Sequence, residues 1–85
     1  MATDKKFTVA GVSLHNGVWK VRYANDLEGR AKVLQRAGHT NIVLVDLGEP
    51  LEKIDCIDKL LNVDLGDEDA NECVALEARE FGFVV

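Results

Sequence analysis

Asn16-Gly17 stands between two stretches in which apolar and polar side chains alternate, and no other feature restricts the fold of this chain as much. A two-residue type I′ turn needs positive φ at both central positions, and Asn-Gly is the dipeptide that accepts it most readily. If the chain reverses there, His15 faces Val18, Leu14 meets Trp19, Val12 meets Val21 and Ala10 meets Tyr23. The last three pairs put six apolar or aromatic side chains on one face, leaving Gly11, Ser13, Lys20 and Arg22 on the other. A slip by one residue would turn Lys20 and Arg22 into the core, so the alternation itself fixes the register. Phe7 and Val9 have the wrong parity for the apolar face. That predicts either a bulge near Ala10-Gly11 or a cover over the second face.

Beyond the hairpin the periodicity changes. Asn25, followed three positions later by Glu28, has the form of a capping box. Leu27, Ala31, Leu34 and Ala37 then recur at helical spacing up to Gly38, a residue suited to the C′ position. Gly29 inside this helix costs about 1 kcal/mol relative to Ala. Residues 41–47, NIVLVDL, form a short branched apolar run, which predicts a central strand buried on both faces. Pro50 suits the first turn of a second helix reaching about Asn62, with Leu51, Ile54, Ile57 and Leu61 inward and Glu52, Asp55, Asp58 and Lys59 outward. After Gly66, the acids Asp67, Glu68 and Asp69 sit where a helix dipole favours them, and a third helix is expected over residues 68–81. Its stripe is Ala70, Val74, Ala78 and Phe81, with Cys73 and Leu76 off it. The apolar ending Phe83-Val84-Val85 is expected to form an extra strand or tuck into the core, and more rarely to serve as a docking or degradation signal. The order is β-β-α-β-α-α, an α+β class with a small, mainly antiparallel sheet and helices on one side. With 85 residues the chain supports one domain, residues 1–6 forming a flexible start.

Few chemistries fit these residues. His15, His39, Cys56 and Cys73 are the candidate metal ligands, but no two have the short spacing with which one element presents a pair of ligands. His15 is expected to flank the turn and His39 to follow a helix C-terminus, where partial positive charge is favourable. Neither cysteine stands at a helix N-terminus or in a basic cluster that would lower its pKa, so both are expected as free, partly buried thiols. The Gly-rich phosphate loops are missing, and the carboxylates are too numerous for any pair to single itself out. These observations point to a protein that is not an enzyme and uses no cofactor. No apolar run approaches a membrane span and residues 1–6 lack a secretory h-region, so an intracellular, cytoplasmic protein is expected.

Charge carries the remaining information. The net charge of −5 divides into +4 over residues 1–40 and −9 over the rest. Such a division suits a dipolar surface with a basic and an acidic side. The candidate basic surface is Lys20, Arg22, Arg30, Lys32 and Arg36; the candidate acidic surface is Asp55, Asp58, Asp67, Glu68 and Asp69. A protein partner meeting one of these surfaces is the leading expectation. Nucleic-acid binding through the basic hairpin and first helix is the second reading, disfavoured by the sign of the total charge and by the inward direction of Trp19 and Tyr23. A homodimer through a sheet edge or the tail is a third.

The run from Phe7 through Leu61 resembles a group of small proteins encoded by phages of marine cyanobacteria and occasionally by their hosts. The resemblance rests on KVRYANDLEGRAKVLQRAGHTNIVLVDL, residues 20–47, and on EPLEK, residues 49–53. It implies a phage accessory protein acting on a host protein in the host cytoplasm, and it carries over no catalytic residue, cofactor or site. Residues 63–85 fall outside it.

Overall fold

The computed structural model describes residues 5–85. Of the flexible start expected over residues 1–6, positions 1–4 lie outside the described residues, and Lys5 and Lys6 are exposed. The chain reverses at Asn16 and Gly17 with φ of 52° and 75°, the pair of positive values that a type I′ turn requires. Strands β1 (Phe7–His15) and β2 (Val18–Ala24) leave the turn in the register His15↔Val18, Leu14↔Trp19, Val12↔Val21 and Ala10↔Tyr23. No shift interrupts this ladder, so the bulge expected near Ala10-Gly11 is absent.

Helix α1 (Leu27–Arg36) begins one residue later than Asn25 predicts. Asp26 is the N-cap and makes no side-chain cap bond. Asn25 is engaged elsewhere: its Oδ1 accepts from the Thr8 N–H at 3.1 Å and its carbonyl from the Thr8 hydroxyl at 3.4 Å. It therefore lengthens the hairpin instead of opening the helix. The C-terminal end follows the sequence. Gly38, at φ 89°, is C′, and the bonds His39 N–H to Leu34 O and Gly38 N–H to Gln35 O complete a Schellman motif.

β3 (Thr40–Leu51) pairs antiparallel with β1, giving the sheet order β2-β1-β3. The expectation for residues 41–47 is thus corrected: β3 is an edge strand and Ile42 to Val45 are half-buried, whereas β1 is central and buried without a break from Val9 to Ser13. Small residues allow β1 to take the middle. A Cβ at Gly11 would run into the Val43 carbonyl oxygen of the adjoining strand. Pro50 belongs to the tail of β3 and not to the following helix, a place an edge strand tolerates. β3 slips against β1 twice. One extra β3 residue enters between the partners of Val12 and Leu14, near Asn41 at φ 51°, and three enter between those of Phe7 and Val9, near Gly48 at φ 84°. Val9 keeps the parity of the second face and is buried there, and Phe7 lies beyond the slip near Gly48. Phe7 joins the main core, its ring centroid 5.5 Å from that of Tyr23.

Helices α2 (Lys53–Leu61) and α3 (Glu68–Glu80) close over the apolar face of the hairpin. Cys56, Ile57 and Leu60 of α2 and Ala70, Val74 and Ala78 of α3 cluster with Ala10 and Val12, and Trp19, Val21 and Tyr23 pack at the margin. The apolar stripe of α2 is rotated from the expected one: Cys56 and Leu60 are buried, while Ile54 is 42% exposed. The cause is Leu51, which pairs with Phe7 in the sheet and so shifts the helix start to Lys53. In α3 the Asp67 carboxylate caps the first turn, accepting from the Asp69 and Ala70 N–H groups. Phe81 lies past the helix and is exposed. Gly82, at φ 96°, turns the chain so that Phe83 packs against the core, with its N–H on Ala78 O. Of the apolar ending, Phe83 tucks in, Val84 is fully exposed, and no strand forms.

Val9 and Ala24, a directly opposed pair, face away from α2 and α3, yet both are buried. Leu34, the buried residue of α1, also lies outside the main cluster. The turn after α1 brings His39 to Ser13 on this second face.

Candidate functional site

The second face carries a compact polar cluster that the sequence does not announce. Ser13 has no exposed surface. Its Oγ accepts from Arg22 Nε at 2.9 Å and lies 2.9 Å from His39 Nδ1. Arg22 Nη2 is 3.3 Å from the same Nδ1. A guanidinium only donates, so Nδ1 acts as an acceptor, the Ser13 hydroxyl donates its proton to it, and the ring proton of His39 resides on Nε2. The imidazoles of His15 and His39 stack in parallel, 4.1 Å between centroids and 5° between planes. Desolvation, then the neighbouring His15 and Arg22, hold the pKa of His39 below the ordinary histidine value. This corrects the expectation of a partly charged imidazole at a helix end: desolvation, with His15 and Arg22 beside it, outweighs the helix dipole.

Around this cluster, His15, Asn16, Val18, Lys20, Arg22 and His39 line a recess of about 340 Å³. Lys20 and Arg22 thus share one site, as the alternation predicts. The other basic residues do not join it. Arg30 lines a separate shallow recess with Lys5, Lys6 and Val33, and Lys32 and Arg36 are exposed on α1. The five do not make one continuous strip.

The acidic residues also divide. Asp55 and Asp58 are exposed on α2, and Glu68 and Asp69 on the first turn of α3. Asp67 is taken up by the cap. Asp64 is held too: its Oδ1 accepts from the Gly66 N–H at 2.8 Å and from Asn71 Nδ2 at 3.2 Å, which keeps its carboxyl below the usual aspartate range.

A groove of about 710 Å³ runs between β2 and α3. Gly17, Val18, Trp19, Lys20 and Val21 form one wall, Lys20 bordering both this groove and the histidine recess; Cys73 and Leu76, with Asp69, Glu72, Glu77 and Glu80, form the other. Leu76 is 50% exposed and Val18 53%. Tyr23 ties the walls together through its hydroxyl, which donates to Glu77 Oε2 at 3.0 Å, and Lys53 Nζ stands 5.1 Å from its ring centroid. Burial and the Glu77 carboxylate raise the Tyr23 pKa well above its ordinary value. Since among the described residues β2 pairs only with β1, its outer edge borders this groove. In a hairpin of this turn type Val18, Lys20 and Arg22 bond to β1, so Trp19, Val21 and Tyr23 turn their N–H and C=O groups outward. The sequence signal was Leu76, off the apolar stripe and among glutamates at helical spacing.

Both cysteines are free, Cys56 buried and Cys73 half-buried, and burial pushes both thiols up. Among the described residues no three His, Cys, Asp or Glu side chains converge as metal ligands, and no helix is long and apolar enough to cross a membrane. No protein-family model, curated protein or solved structure matches the chain.

Proposed function

We propose that this protein is a non-enzymatic protein-binding module that receives an extended, basic segment of a partner along β2 and α3. The observation that carries the reading is the open edge of β2 beside an exposed Leu76 ringed by carboxylates. An edge strand supplies backbone bonds to an added strand, and the flanking pockets select alternate side chains. Here the floor is apolar, the α3 rim carries four carboxylates and the β2 rim carries Lys20, so the excess of acid selects Lys or Arg alternating with Val or Leu. On the resemblance of residues 7–61 to cyanophage proteins, the partner is a host protein in the host cytoplasm. Ser13, which has no exposed surface, is not placed to meet a substrate.

Trp19 is the sole tryptophan and lines the groove, so its fluorescence reports occupancy directly. Titration with a short synthetic peptide alternating Lys and Val is expected to give a saturable change, weakened about tenfold, or about 1.4 kcal/mol, by the double substitution Glu72→Lys, Glu80→Lys. An alternating Glu-Val peptide is expected to give none. No saturable change with the basic peptide at low salt, or equal binding of both peptides, would contradict the reading. Sedimentation showing a dimer that occludes Trp19 would replace it with self-association.

A further inference from the structure

The groove leaves the recess on the opposite face of the sheet unexplained. We propose that this recess, lined by His15, Lys20, Arg22 and His39, is a binding site for a phosphate monoester or inorganic phosphate dianion.

Arg22 is half-buried, and its two bonds go to a hydroxyl and a neutral imidazole, not to a carboxylate. Among the described residues the ion pair is Lys59 with Glu49, on another part of the molecule. In a chain with five more negative than positive charges, an arginine and a lysine opening on one recess without an acid in its lining leave a local positive field. The guanidinium is also fixed in place. Nε is held by the buried Ser13 and one Nη2 proton is directed to His39, so the Nη1 pair and the remaining Nη2 proton are left to form a fork. Lys20 adds an exposed positive charge beside it, and His39 Nε2–H and the one ring N–H of a neutral His15 add donors.

The stacked imidazoles favour a monoester over a diester. The parallel rings set two imidazole edges side by side at the recess, and a monoester, with more unesterified oxygens than a diester, can accept from them and from Arg22 at once. The groups facing the rings are Ser13 of β1, Lys20 and Arg22 of β2, and the rings themselves; none is a carboxylate.

The test is NMR of the full chain, following the imidazole resonances of His15 and His39 and the Nε–H of Arg22, titrated separately with inorganic phosphate, glycerol phosphate, chloride and a short oligothymidylate. Saturable shifts of all three side chains by phosphate or glycerol phosphate but not chloride are expected, and the better of the two identifies a free or an esterified ligand. Arg22→Gln should weaken binding at least tenfold and Lys20→Gln about threefold, whereas Arg30→Gln leaves it unchanged. Lys20 is exposed and its substitution leaves the buried network intact, so that variant keeps the test valid if Arg22→Gln unfolds. The absence of saturable shifts up to about 10 mM phosphate, above the roughly millimolar Kd that so small a site needs to be useful, overturns the proposal. Tighter binding of the oligothymidylate than of phosphate also overturns it, in favour of nucleic acid.

Discussion

Single residues fix this structure where the backbone has no alternative. Gly11 is one, because β3 lies against it: Gly11→Ala places a methyl group on the Val43 carbonyl and within 2.8 Å of Leu44 Cα. That clash is with backbone, so the loss should approach about 3 kcal/mol, measured as a fall in the denaturation midpoint at constant slope. Gly17→Ala meets no neighbour and strains only its φ of 75°, so about 1 kcal/mol is expected. His39 gives the pH dependence. Its folded pKa lies below the unfolded value of 6.5, so between the two the unfolded chain binds more protons and stability rises with pH. In phosphate-free buffer, denaturation midpoints measured from pH 5 to pH 8 should climb more steeply for the native chain than for His39→Gln; parallel curves would contradict this. Legibility at this scale depended on sequence distance. Asn16-Gly17 and the pairs it sets were readable because the turn acts on its immediate neighbours. The Ser13, Arg22 and His39 network was not, because His39 reaches Ser13 across 26 positions only once α1 and β3 have taken their places.

At the level of elements, capping chemistry was readable where nothing competed for it. Asp67 caps α3 with two bonds, and Asp67→Ala is expected to cost about 1 kcal/mol. Asn25 looked equally suited, but the Thr8 N–H claimed its side chain and the cap passed to Asp26. Residues 41–47 were read as central because a branched apolar run is what a doubly covered strand needs. In a three-stranded sheet, however, the middle goes to the strand that both neighbours can approach, and Ala10-Gly11 lets β1 be that strand. The start of α2 failed for a related reason, since a Pro that can open a helix can equally end an edge strand. Chain ends behave by the same rules: Gly82 reverses the backbone and returns Phe83 to the core, so Phe83→Ser should destabilise the protein while Val84→Ser leaves the denaturation midpoint unchanged.

Over the whole molecule the sheet separates the charges that the sequence divides between its halves. Arg22 faces one way with the histidines and Lys20 stands at the boundary, while α2 and α3, bearing Asp55, Asp58, Glu68, Asp69, Glu72, Glu77 and Glu80, lie on the other side. Interleaved surfaces would cancel within a Debye length of about 8 Å at physiological salt; faces on opposite sides of a sheet do not. The two proposals accordingly place ligands of opposite charge on two faces: a basic strand on β2 and α3, and a phosphate over His15 and His39. Both assignments require that Trp19, Val21 and Tyr23 turn their side chains to the helices and their backbone groups to the open edge. Amide hydrogen exchange along β2 measures this directly. Protection should alternate, with Lys20 and Arg22 slow and Trp19, Val21 and Tyr23 fast, and the fast three should slow when the basic peptide is added. Uniform protection of β2 in the free protein, or slow Trp19 and Val21 with fast Lys20 and Arg22, would mean that the edge is closed or the register wrong.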